Sequence, residues 1–143
     1  MAIKYKFFNH LSAEGKHVRS EVFMKEQGFE HEFDDIDARA VHLVIYGEDG
    51  QGVGAARLFD DEPGCYHIGR LSVLKANRGQ GLGAVMMRLL EEKARALGAS
   101  RLVLSAQCRV RGFYEALGYR AVGDVYMDEF CPHVRMEKIL DEK

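Results

Sequence analysis

Apolar residues recur at two different spacings in this chain, and the change from one to the other marks its central feature. The run HIGRLSVL, from His67 to Leu74, places Ile68, Leu71, Val73 and Leu74 in a β-prone stretch. From Leu82 onward the apolar positions fall three and four apart, at Val85, Met86, Leu89, Leu90, Ala94 and Leu97, the stripe of a long amphipathic helix. Gly98 then offers the positive-φ residue on which such a helix stops.

The same patterns predict the remaining elements. Ile3 to Phe8 is a first strand, and Asn9 to Ser12 offers caps for a helix that carries Val18, Val22 and Phe23 on one side and ends near Gln27-Gly28. Val41 to Tyr46 and Val53 to Phe59 form a hairpin around Asp49-Gly50, and Asp60 to Gly64 makes the next turn. After the long helix, Arg101 to Ala106 is a strand set parallel to its predecessor by the helical crossover. A short helix over Arg111 to Leu117 closes at Gly118. Two last strands, Tyr119 to Tyr126 and Val134 to Leu140, are joined by a turn containing Cys131-Pro132-His133. The expected fold is α/β, a mixed sheet that is antiparallel at its start and parallel in its middle.

Composition narrows the class without naming a chemistry. With 143 residues, residues 1–143 are expected to form a single domain. Its 47% hydrophobic and 29% charged content is that of a soluble globular protein. A net charge of −2 predicts no general affinity for nucleic acid or for an anionic membrane. No apolar run is long enough to span a bilayer, and the stretch MAIKYKFFNH lacks a signal-peptide core, so a cytoplasmic protein is expected. Cys65, Cys108 and Cys131 are odd in number and widely spaced, which suits reduced thiols rather than a disulfide framework or a zinc site.

The chemistry lies between the central strand and the long helix, in Arg78-Gly79-Gln80-Gly81-Leu82-Gly83. Glycines at alternate positions leave backbone N–H groups uncovered where a helix begins, and Arg78 adds a positive charge. Together with the helix dipole this makes an anion site suited to phosphate. The alternative is that the glycines only shape a tight turn. Gly79-x-Gly81-x-x-Ala84 also matches the dinucleotide fingerprint in form. That fingerprint needs its glycines directly after the strand and an acid at the end of the next one. Here Lys75, Ala76, Asn77 and Arg78 intervene and the next strand ends Ser105-Ala106-Gln107, which argues against it. A P-loop fails because no Gly-Lys-Ser/Thr comes after the glycines.

Leu71-Ser72-Val73, then Arg78-x-x-Gly81-x-Gly83, then Phe113-Tyr114-Glu115-Ala116-Leu117-Gly118-Tyr119 resemble the GNAT N-acetyltransferases, here a small bacterial subgroup. The resemblance implies a GNAT-like mixed, mostly antiparallel sheet with a splayed central parallel pair, flanked by about four helices. It implies acetyl-CoA as co-substrate, no metal, and a primary amine of a small molecule as acceptor. The backbone of Leu71, Ser72 and Val73 would pair with the pantetheine arm, and a freed N–H near Val73 would polarise the thioester carbonyl. Arg78 with the amides of Gly79, Gln80, Gly81, Leu82 and Gly83 would hold the pyrophosphate. Tyr114 would protonate the departing thiolate. Gln107 stands where the family often carries an asparagine. A homodimer is compatible with such folds, as is a non-catalytic acetyl-CoA-binding module.

The base that takes the proton of the amine stays open among Glu32, Asp35, Asp37, His67 and His133, and Arg70 is a candidate for a substrate carboxylate or for a nearby acid. Most of the acidic run Glu30 to Asp37 reads as a solvated rim, one that would favour cationic acceptors. Arg19-x-x-Val22-Phe23 with the downstream aspartates distantly resembles acyl-homoserine lactone synthases, the enzymatic alternative.

Overall fold

The computed structural model describes residues 3–140. It divides into two compact units, one built from the chain up to Phe59 with Ile68–Leu90, the other from Asp60–His67 with the chain from Glu91 onward.

In the first unit, β1 (Lys4–Phe8) pairs antiparallel with β2 (Val41–Tyr46), from Lys4↔Tyr46 to Phe8↔His42. Strand β2 pairs antiparallel with β3 (Gly52–Glu62), from Val41↔Leu58 to Ile45↔Gly54, and β4 (Cys65–Val73) lies next in order. Leu43, Val44, Ile45 and Leu58 are buried, as two covered faces of a sheet require.

Helix α1 (Ala13–Arg19) starts on Ser12, whose hydroxyl accepts the Gly15 amide at 3.1 Å. The sequence predicts one helix running to Gln27-Gly28. The chain does coil that far, but Ser20–Glu26 is wound as a π-helix, with the Gln27 amide reaching the Val22 carbonyl at 3.1 Å. The change of winding comes directly after Arg19, while Val18 and Val22 remain buried against Ala55.

Helix α2 (Leu82–Ala96) buries Met86, Met87 and Leu90. Gly54 is what allows this approach. A Cβ there would stand 2.7 Å from Ile45 Cγ1 and 3.0 Å from Met86 Sδ. Gly54→Ala is therefore expected to destabilise the protein by about 1–3 kcal/mol through overpacking, read as a lower urea midpoint at unchanged slope.

In the second unit, β7 (Cys131–Ile139) lies between β5 (Arg101–Gln107) and β6 (Arg120–Asp128), antiparallel to both. Leu102, Val103 and Leu104 of β5 are buried, as are Val134 and Met136 of β7. The expected turn is displaced. Cys131, Pro132 and His133 belong to β7, and the reversal falls on Glu129-Phe130, with Glu129 at φ 54°. Pro132 is tolerated because it sits at the start of the strand, opposite Met127. The short helix α3 (Arg111–Ala116) follows β5 as predicted.

Candidate active site

The loop before α2 has the form the glycine spacing predicts. A 3-10 turn over Lys75–Asn77 separates it from β4, and Gly79 and Gly81 take φ of 80° and 78°. A Cβ at either glycine would meet nothing within 4 Å, so what demands glycine here is the backbone conformation and open space, not packing. The first helical hydrogen bond runs from the Val85 amide to the Gly81 carbonyl at 3.2 Å. The amides of Leu82, Gly83 and Ala84 thus have no acceptor within the helix and point out of its positive end.

Arg78 is more committed than its motif suggests. Its two terminal nitrogens each donate to Glu26 at 2.6 Å, and its Nε donates to the Val73 carbonyl at 3.0 Å. The guanidinium charge is balanced in this state, which leaves the amides as the anion-binding element of the loop. An open groove of about 1180 Å³ borders Asn77, Gln80 and Leu82. Its other charged lining residues are Lys4 against Glu14, Glu48 and Asp49, so the groove itself does not select anions.

On β4, Ser72 is buried and its hydroxyl lies within donating distance of the Ala55 carbonyl, 3.2 Å, and the Arg70 carbonyl, 3.1 Å. The side chain is spent on holding the strand, leaving only backbone at this position for any ligand.

The acidic run is split: Glu30, Asp34 and Asp35 stay exposed, as a solvated rim requires, whereas Glu32 and Asp37 are buried. Arg19 is 1% exposed, Arg57 3%, Glu32 4% and Asp37 8%. Arg19 donates to Glu32 Oε2 at 2.8 Å and to both Asp37 oxygens at 2.7 and 3.2 Å. Arg57 forks onto Asp34 at 2.6 and 3.1 Å and reaches Asp37 at 3.0 Å. Arg70 lies 3.2 Å from Glu32 Oε2 and 3.4 Å from Asp34 Oδ2. Three arginines therefore balance three carboxylates. Asp34 also caps the 3-10 turn Asp35–Ala38, so local turn chemistry and ion pairing agree on its place. The pattern of three arginines spread over Arg19, Arg57 and Arg70 carries no periodic signal, and sequence reasoning missed Arg57 altogether.

Burial alone would raise the Asp37 carboxyl, but the Arg19 hydrogen bonds and charge outweigh it and bring it from 3.8 down to about 2. A carboxyl depressed on folding contributes stability above its unfolded value and loses it as pH falls through the folded one. Between pH 3.8 and about 2 this group is expected to withdraw about 2 kcal/mol, a step absent from Asp37→Asn in urea titrations at descending pH. Glu32 shifts the other way, because burial outweighs Arg19 and Arg70. Its contribution is present at low pH and lost as pH rises, so it does not steepen the acid limb.

In the second unit, Tyr114 on α3 packs edge-on against Phe113, with centroids 5.0 Å apart, and against Tyr119, at 6.1 Å. Burial alone pushes its phenol up to about 12, with no charge or hydrogen bond acting on it. Tyr119 differs. Its hydroxyl donates to Glu91 at 2.9 Å, and Lys138 holds the same carboxylate at 3.2 Å. Of the two tyrosines, Tyr114 keeps its proton uncommitted.

The base candidates separate by environment. Glu32 and Asp37 are locked in ion pairs, while Asp35 is exposed. His67 Nε2 lies 3.1 Å from Asp61, with burial, more than Asp61, setting its downward shift. His133 is buried on β7, its Nδ1 2.9 Å from the Cys131 carbonyl and its ring stacked on Tyr126, whose hydroxyl hydrogen-bonds Ser105. That carbonyl can only accept, which fixes the proton on Nδ1. Gln107 ends β5 opposite His133. Cys65, Cys108 and Cys131 are free thiols. Among the described residues there is no cluster able to hold a metal ion, and no helix is long and apolar enough to cross a membrane.

Known proteins share this architecture. The uncharacterized N-acetyltransferase YjcF of Bacillus subtilis is 38% identical over 126 residues, which cover 85% of this chain and 88% of YjcF. A solved structure from Lactobacillus plantarum matches with a TM-score of 0.89 at 28% identity, covering 98% of this chain and 99% of that one. Escherichia coli ElaA matches with a TM-score of 0.83 at 26% identity, covering 96% and 99%. The fold is thus a mixed sheet of seven strands, mostly antiparallel with one parallel pair, carrying three α-helices. The family model for the acetyltransferase (GNAT) domain matches residues 8–140. With the family model running over nearly the whole chain, and a relative this similar along most of its length, this protein belongs to the GNAT acetyltransferase family.

Proposed function

We propose that the protein moves the acetyl group of acetyl-CoA to a primary amine by direct attack. Membership of the family implies an acyl-CoA co-substrate. The observation that carries the finer reading is the set of uncovered amides behind Gly79 and Gly81, at the positive end of α2. They would take the pyrophosphate, with Arg78 exchanging its Glu26 contact for phosphate oxygen. The backbone of Leu71 to Val73 would pair with the pantetheine arm as an added strand does.

In the reaction the neutral amine nitrogen forms a bond to the thioester carbon, the carbon–sulfur bond breaks, and the proton shed by the nitrogen passes to water, from which the Tyr114 phenol is restored after it has given its own proton to sulfur. The sulfur leaves as thiolate and takes a proton from Tyr114, whose raised phenol is fully protonated at neutral pH. A primary amine fits as a class. With the carboxylates Glu32, Asp34 and Asp37 balanced by arginines, the segment no longer argues for a cationic acceptor over a neutral one.

Calorimetry with acetyl-CoA, and then thiol release across a panel of primary amines, tests the reading. Saturable binding and amine-dependent release of CoA are expected. Binding with no release for any amine would point to a binding module, and absence of binding would overturn the assignment.

A further inference from the structure

We propose that Arg70 is a positioning residue that holds β4 in the kinked form needed to present the backbone of Leu71–Val73 to acyl-CoA. This rests on the acyl-CoA site proposed above and deepens it. Arg70 has φ of 56° in the interior of β4, where no turn calls for it. The other described non-glycine residue with positive φ, Glu129, sits on the β6–β7 reversal. Left-handed backbone is costly for a residue that bears a Cβ, and inside a strand it persists only where the surroundings over-determine it.

Here they do. Arg70 Nε donates to the Glu32 carbonyl at 3.1 Å, and its guanidinium faces the Glu32 and Asp34 carboxylates. Its own carbonyl faces the Ser72 hydroxyl at 3.1 Å. The clamp is itself anchored, since Arg19 holds Glu32 and Arg57 holds Asp34. Arg57 also packs on Gly69, where an added Cβ would stand 3.4 Å from its Nε, a buried nitrogen with no hydrogen-bond partner among the described residues. So the residue before the kink is covered, the kinked residue is gripped at both ends, and the next three residues carry the backbone assigned to the ligand. A one-residue irregularity of this kind interrupts strand pairing and re-aims the residues beyond it. The buried Arg–carboxylate network in this part of the fold thus has a mechanical output at β4. Arg70 is occupied by protein carboxylates rather than held open for a substrate carboxylate.

Two substitutions separate the clamp from the kink. Arg70→Gly removes the side chain but leaves positive φ accessible, whereas Arg70→Ala removes it and favours return to extended backbone. Acetyl-CoA affinity by calorimetry is expected to fall about tenfold in Arg70→Ala and clearly less in Arg70→Gly, with KM for acetyl-CoA moving in parallel and KM for the amine unchanged. Amide exchange at Leu71 and Val73 is expected to change in Arg70→Ala, a readout independent of turnover. Wild-type affinity in Arg70→Ala, or a rise confined to the KM of the amine, would overturn the proposal. Failure of the wild-type protein itself to bind acetyl-CoA would instead overturn the underlying site. If Arg70→Ala does not fold, Arg70→Gln removes the guanidinium while keeping more of the side chain, and unchanged affinity there would equally overturn it.

Discussion

Tyr114→Phe is expected to bind acetyl-CoA as tightly as the parent protein and to transfer acetyl about 10²–10⁴-fold more slowly. The substitution removes one oxygen and leaves the ring, so the edge contacts to Phe113 and Tyr119 survive and stability should hardly move. What is lost is a proton donor. The Tyr114 phenol is raised to about 12 by burial, so it stays protonated at every pH below that and can only give its proton to a strong enough base. In the proposed reaction the departing thiolate is that base. The alkaline limb of the rate profile should therefore not come from Tyr114 at pH 8–10. Steady-state thiol release with calorimetry on the same preparation checks both halves, and an equal loss of binding and rate would make Tyr114 a packing residue instead.

Tyr119 is the internal control for that argument. It is an aromatic phenol a few residues away, but its hydroxyl is tied to Glu91 and shares that carboxylate with Lys138. Tyr119→Phe leaves Glu91 with the Lys138 contact alone and should register in stability, by about 1–3 kcal/mol, through a buried carboxylate that has lost a donor. On the proposed mechanism, chemistry and structure divide between two tyrosines, of which the family resemblance singles out Tyr114 and leaves the role of Tyr119 unread.

That division illustrates how far the sequence alone could be read. The strand–loop–helix from His67 to Gly98 is legible from periodicity and glycine placement, because local rules decide it: apolar spacing sets the helix and positive φ sets the loop. In the Glu30–Asp37 run composition speaks of solvent, which holds for Glu30, Asp34 and Asp35 but not for Glu32 and Asp37. The burial of those two depends on Arg19, Arg57 and Arg70, which are brought to them from an α-helix end and two strands by tertiary structure. The π-wound stretch after Arg19 and the early start of β7 at Cys131 were hidden for the same reason. Winding is decided by which side chains must face the sheet, and strand limits by pairing partners. Neither is written in a residue's own propensity. Arg70 is the extreme case: nothing about an arginine within a strand pattern announces a left-handed backbone.

Gly81→Val is expected to weaken acetyl-CoA binding by about 10²-fold or more. Two effects combine, and both act at the loop rather than in the core. At φ 78° a β-branched residue is strained whatever the space around it, so the chain there will relax toward negative φ and turn its amides away. Where it does not relax, the new side chain covers the open volume through which an anion must approach the amides. Loss of two charge-assisted hydrogen bonds, at about 1.5–3 kcal/mol each, accounts for the size of the effect. Gly98→Val supplies the comparison. It imposes similar strain at φ 95°, also in open space, at the opposite end of the same helix. If strain alone mattered, both variants would lose stability and both would lose binding in proportion. If the amides bind the diphosphate, Gly98→Val should lose stability and keep its affinity, while Gly81→Val loses affinity at any temperature where it is folded. Equal affinities in the two would remove the loop amides from the site, because the proposal makes them, and not Arg78 alone, the groups that hold the diphosphate.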